Sequence, residues 1–198
     1  MQQRTGIVLK KYFPKKRVIA VLDSALGLID YVPDTENIAL GALLHYWVVQ
    51  RKGVSFIHGI ENIQVPLLLG KYDILFFHHV LEICYYFVPR GQYSENIYML
   101  MNCLYSADHN LMNVIQKKSF LVKLFSVLGI YPYSSAKYNS SLLQKISGSI
   151  DLADYSALDL GSERELDAWL HGCLLHHPEL EKFKTTHFLD QGKTYENT

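Results

Sequence analysis

Cysteine is scarce in this sequence: three residues in 198, Cys84, Cys103 and Cys173, with no CxxC pair among them. That spacing argues against a disulfide framework and predicts buried thiols in a reducing compartment. An excess of charge of either sign is missing too, since 19 Lys and Arg balance 19 Asp and Glu. That balance weakens a reading as a strongly nucleic-acid-binding protein, since phosphate binding draws on excess Lys and Arg. Long apolar runs are absent: the most hydrophobic stretch, residues 67–88, carries Lys71, Asp73 and Glu82, which argues against a membrane span. The opening MQQRTGIVLKKYF is apolar over too few residues for a secretory signal, and Lys10 and Lys11 interrupt it. The expectation is a cytoplasmic protein with no membrane partner.

Motifs for nucleophilic or phosphate-cradling chemistry are also lacking. The sequence has no GxSxG, no GxxxxGK[ST] and no GxGxxG after a strand. Asp151, Asp154, Asp159, Glu163 and Glu165 fall in a loop and a helix start, where carboxylates serve turns and the helix dipole. The pairs His78-His79 and His176-His177 are adjacent residues, which diverge by about 100° on a helix and rarely share one metal. They read as surface histidines. The sequence thus predicts no enzyme, no cofactor and no metal site.

What is present is apolar and aromatic: 49% hydrophobic residues, with 14 Tyr and 9 Phe. That composition folds. Two periods divide the chain. Up to Pro66, short runs rich in Val, Ile, Tyr and Trp predict strands near 5–12, 17–23, 27–33, 43–51 and 54–65. In the fourth, Leu44, Tyr46 and Val48 share one face and His45, Trp47 and Val49 the other, with Arg51-Lys52-Gly53 as a hairpin turn. Five short strands in this length fit a small Greek-key barrel of the oligonucleotide/oligosaccharide-binding (OB) type; an SH3-like barrel would give a similar string.

After Pro66 the period becomes helical. Leu69, Tyr72, Phe76, Val80, Ile83 and Phe87 form one stripe, ending before Pro89. A second helix follows Ser94, and a third runs over 110–128 to Gly129 and Pro132. Ser162 with Glu165 reads as a capping box, and Pro178 opens a last helix ending near Phe188. The fold class is therefore α+β: a barrel domain over 1–66 followed by an all-α domain over 67–198.

The basic residues cluster around two barrel turns. Lys10, Lys11, Lys15, Lys16 and Arg17 surround the first hairpin, and Arg51 and Lys52 occupy the last. Tyr12, Phe13, Tyr31 and Trp47 are candidate stacking surfaces beside them. A positive groove with aromatic platforms is how OB barrels hold single strands. Edge-protecting lysines would give the same pattern.

The order of these pieces resembles the RecO family of bacterial recombination mediators. "TGIVLKKYFPKKRVIAVLDSALGLI" looks like the family's opening strands. "LLLGKYDILFFHHVLEICYYFVPRGQYSENIYMLMNCLYSAD" resembles its first helices, with Glu82 as the internal acid of an aromatic-rich helix. "SFLVKLFSVLGIYP" matches a Phe-x-x-Lys-Leu-x-x-x-Leu-Gly-x-x-Pro signature, and "HHPELEKFKTTHFL" resembles the closing segment. The resemblance spans nearly the whole chain in order.

It implies an OB-fold domain joined to a helical domain, without enzymatic turnover and located at the bacterial nucleoid. Such proteins bind and anneal single- and double-stranded DNA. With a RecR-like partner they help load recombinase onto coated single strands, docking the acidic, Phe-ended tail of the single-strand-binding protein. Lys117, Lys118 and Lys123 lie on the third helix and would supply cations for that tail. Two departures stand out. Where many members carry a basic run, this chain reads "VPDTENIALGALL", with Asp34 and Glu36. No cysteine lies between Cys103 and Cys173, so the four-cysteine zinc module that many members carry around 133–160 cannot form.

Overall fold

The computed structural model describes residues 2–65, 71, 73–106, 112–132 and 160–175. Alternating apolar residues carry five strands: β1 (Gln2–Lys11), β2 (Ile19–Asp23), β3 (Gly27–Pro33), β4 (Leu43–Arg51) and β5 (Val54–Gln64). They close into a barrel in the order β1-β2-β3-β5-β4, with β1 also bonded to β4. Every pairing is antiparallel except β3 with β5, which is parallel. The result is an OB-like barrel.

Its core is Val8, Ile19, Val21, Tyr31, Leu44, Tyr46 and Ile57, closed by Ile38 and Ala42 from the β3–β4 connection. A register shift between Val8 and Lys10 bends β1, as a bulge does, so that one strand serves both neighbours. Gly6 is required where β1 crosses the core: a Cβ there would lie 2.5 Å from Val21 Cγ1 and 2.6 Å from the Tyr46 hydroxyl. The β4–β5 hairpin turns on Lys52 and Gly53, at φ 49° and 78°, the two positive values that a tight two-residue hairpin demands.

A second set of apolar residues, Ile7, Ala20, Leu22 and Leu28, alternates with the core and so faces out of the barrel, yet it is fully buried. All five residues of β2 are buried for the same reason. The cover is the segment Val80–Tyr98, which belongs to the same compact unit as Met1–Lys71. Arg90 bridges to Leu28, and the Gly91 amide donates to the Leu28 carbonyl at 3.0 Å. The Gln92 carbonyl oxygen lies only 1.8 Å from where a Cβ on Gly27 would sit. Tyr98 donates to Thr5 Oγ1 at 2.9 Å.

The other compact unit comprises Tyr72–His79 and Met99–Thr198. The described helices are α1 (Ile74–Phe87), which contributes to both units, α2 (Glu95–Ser106), α3 (Val114–Val127) and α4 (Leu160–Leu175). Asp73 begins α1 by accepting the Phe76 amide at 3.3 Å. Asn113 and Gln116 form a reciprocal capping box for α3, so this helix starts at Val114 rather than at 110. It ends as the sequence predicts: Gly129 adopts φ 73°, the Ile130 amide returns to the Phe125 carbonyl at 2.9 Å, and the Gly129 amide to Ser126 at 3.1 Å. Ring contacts Phe76–Phe120, Phe77–Tyr105 and Phe125–Trp169, with centroids 5.9, 6.1 and 6.5 Å apart, build this unit's core.

Several expectations change here. Helix α4 is already running at Leu160, so Ser162 lies inside its first turn and is not the N-cap. His79 is a core residue, not a surface one, because its position on α1 turns it inward beside Phe76 and Val80. The expected final helix from Pro178, the pair His176-His177 and most of the span 133–160 lie outside the described residues. Among the described residues, no helix is long and apolar enough to cross a membrane.

Candidate nucleic-acid interface

The loop between β1 and β2 is tied at its base by the Tyr12 amide donating to the Val18 carbonyl, and inside by the Lys16 amide donating to Tyr12, both at 3.1 Å. This leaves Lys15, Lys16 and Arg17 exposed. Across the mouth of the barrel, the β4–β5 turn presents Arg51 and Lys52, also exposed. Between the two loops runs the end of β3, with a groove on either side of Val32. One groove, about 570 Å³, brings Arg17 and Arg51 together over Val49, Phe56 and His58; its volume is that of a ligand cleft. The other is lined by Tyr12, Lys16, Asp30, Val54 and Ser55.

Two acids line these grooves, and both are engaged. Asp30 pairs with Arg90 at 2.8 Å, a bond that also holds the guanidinium above its ordinary pKa. Asp34 accepts the Gly59 amide at 3.2 Å through its carboxylate and Arg17 at 2.5 Å through its backbone carbonyl. Three cations, Lys16, Arg17 and Arg51, thus line these grooves against two acids, although the whole chain is neutral.

Lys10 and Lys11 are each engaged within the barrel unit. The Lys10 ammonium sits 4.1 Å from the Tyr85 ring centroid and 5.6 Å from those of Tyr12 and Tyr86, a cation held by aromatic faces. Lys11 donates to the Ile38 carbonyl at 2.5 Å. Beside Lys10 the hydroxyls of Tyr12 and Tyr85 meet at 2.6 Å, and burial with that bond pushes Tyr12 up to about 12. Tyr31, a candidate stacking surface in the sequence, is instead core: its ring is buried and its hydroxyl donates to Asp23 at 2.8 Å.

Trp47 does face outward, 38% exposed. Phe56 and His58 share its face of the sheet, since Trp47 pairs with His58 and Val49 with Phe56. Neither is among the aromatics placed beside the basic loops from the sequence, although two-residue alternation along β5 around the core residue Ile57 marks both as outward-facing. The β2–β3 face, which serves oligonucleotides in many OB barrels, is closed by Val80–Tyr98. Among the described residues, exposed positions lie at the loop end and along β4 and β5.

On α3, Lys117 is ion-paired with Asp73. Lys118 is 2% exposed and lies 2.7 Å from Glu163 and 2.8 Å from Asp167. Its ammonium joins α3 to α4 and is shut away from a docking peptide. Lys123 is partly buried, which lowers its pKa. Cys84 and Cys173 are buried, and burial pushes each thiol up to about 12, so neither presents a thiolate. Among the described residues no group of three His, Cys, Asp or Glu side chains is placed to hold a metal. No protein-family model and no curated protein matches this chain.

Proposed function

We propose that the barrel is a nucleic-acid-binding module and that the chain acts as a RecO-like mediator of DNA repair and recombination, without enzymatic turnover. One observation carries the binding reading: cations from two loops distant in sequence converge at one end of the barrel, with Arg17 and Arg51 over a single groove. Arginine forks there match phosphate oxygens, and these contacts position a strand without reading its sequence. The mediator role rests on the collinear motifs, which extend to the helical segments. It would place the protein in the bacterial cytoplasm, at the nucleoid, beside a RecR-like partner and the tail of a single-strand-binding protein. Of the three lysines expected to meet that tail, Lys117 and Lys118 face carboxylates of their own unit, so a tail would have to compete with Asp73, Glu163 and Asp167 for them.

A second reading, an adaptor that binds only proteins, draws support from the closed β2–β3 face. Fluorescence anisotropy with labelled DNA at two salt concentrations separates the two. The module should bind at low salt and weaken as salt rises, with a logarithmic slope of about −2 to −4 if three to five phosphates are engaged. Absence of binding at low salt, with or without a RecR-like protein, would leave the adaptor.

A further inference from the structure

We infer that the outer face of β4 and β5 is a base-stacking strip that selects single-stranded over double-stranded nucleic acid, an inference that rests on the nucleic-acid reading above. Trp47 and Phe56 are diagonal neighbours across the β4–β5 ladder, because Trp47 pairs with His58 and Val49 with Phe56. Diagonal neighbours on one sheet face stand about 7–8 Å apart. Successive bases in a duplex strand are about 3.4 Å apart. Rings rooted at that backbone spacing are set wider than two adjacent stacked bases. They match an extended single strand whose bases are separated and laid flat on protein rings.

The local structure presents Trp47 for this use. The register of β5 slips opposite His45 and Trp47, and Gly59 at the slip adopts φ 59°. A Cβ on Gly59 would lie 3.1 Å from Trp47 Cδ1, so the missing side chain leaves room for the edge of the indole against the strand. The strip then leads along β4 from Trp47 past Val49 to Arg51, where Arg17 joins it across the groove. Rings for bases lie at one end and guanidinium groups for phosphates at the other, the pairing that single-strand grooves use. The occupant is fixed by this order of chemistry: an acidic peptide would satisfy the arginines but would not need ring faces at this spacing.

Tryptophan fluorescence tests this directly. The chain has two tryptophans, and Trp169 is 1% exposed in the other unit, so it reports little. Titrating the intact 198-residue chain with a short oligothymidylate at low salt should quench the Trp47 emission, whereas a duplex of equal length should bind more weakly and leave it unchanged. Trp47→Ala and Phe56→Ala should each weaken single-strand binding about tenfold, within the range measured for one lost stack. Trp47→Phe should keep most of the affinity and abolish the quench. If no oligonucleotide binds at all, the nucleic-acid reading falls and this inference with it. If binding persists and is lost with Arg17→Glu, while the alanine variants and the duplex behave like wild type, the stacking strip alone is wrong.

Discussion

Tyr46 donates its hydroxyl proton to Asp23 Oδ2 across 2.7 Å inside the barrel, and Tyr31 donates to the same oxygen at 2.8 Å. The other carboxylate oxygen takes the amides of Ala25 and Leu26 at 2.8 and 3.0 Å, and the Arg4 guanidinium stands 3.6 Å from Oδ2. One buried acid therefore ties β2, β3, β4 and the β2–β3 turn. A charge without water is tolerable only when its lone pairs are filled and a cation is near, and here both hold. Burial and the neighbouring carboxylate both raise the two phenols far above their ordinary pKa, so they stay donors.

Removing the acceptor should therefore cost more than removing a donor. Asp23→Ala leaves two buried hydroxyls and Arg4 without their acid and should lose about 3–5 kcal/mol. Tyr46→Phe deletes one bond to a charged group and should lose about 1.5–3 kcal/mol. Urea unfolding of both variants checks the order. Two losses below about 0.5 kcal/mol, the range of ordinary surface changes, would mean that the network does not stabilise the barrel.

The basic residues named from the sequence should separate into two groups. Lys15→Glu or Lys16→Glu should weaken binding to every oligonucleotide sequence about equally and make the salt slope shallower, as loss of a phosphate contact does. Lys10→Met and Lys11→Met should leave affinity within about twofold, because these lysines serve Tyr85 and the Ile38 carbonyl, yet should lower the melting temperature through lost cation–π and hydrogen-bond contacts. Anisotropy and thermal melting on the same four proteins give both readouts. A sequence-selective loss at Lys16 would contradict phosphate contact.

The barrel was legible because strand periodicity and turn residues are local signals. The five strands, the faces of β4, the Lys52-Gly53 turn and the Gly129 stop all follow from neighbours in sequence. What escaped depends on partners far along the chain. Tyr31 reads as an exposed aromatic until Asp23 and Tyr46 are seen around it, and Lys118 reads as a solvated helix lysine until α4 brings Glu163 and Asp167. The cover over β2 and β3 was hidden for the same reason. Nothing in "VPRGQY" announces that its backbone lies against Gly27 and Leu28.

Lys118 gives a prediction in the helical unit. Its side chain is 3% exposed, while Glu163 and Asp167 keep 22% and 42%. Lys118→Ala opens a gap and leaves two acids facing each other, but both can regain water, so the loss should be about 2 kcal/mol rather than that of a fully buried pair. Lys118→Met keeps the stem packed and should lose about half as much. Thermal or urea unfolding measures both. A neutral alanine variant would show that the ion pairs add nothing to the packing of α3 on α4.

Acid should act through His79. The imidazole is fully buried on α1, and burial lowers its pKa from 6.5 to about 4. Between those values the unfolded chain binds a proton that the folded chain refuses, so stability falls as pH drops from 6.5 toward 4 and is untouched by this group above 6.5. The full gap corresponds to about 3 kcal/mol. Carboxylates titrate in the lower part of the same window, so wild type alone does not isolate the histidine. His79→Met, which fills similar space without a titrating nitrogen, supplies the reference. The stability difference between wild type and variant, from urea unfolding at several pH values, should shift in favour of the variant as pH falls through the window. Parallel curves would show that His79 is protonated as readily in the folded protein as in the unfolded chain.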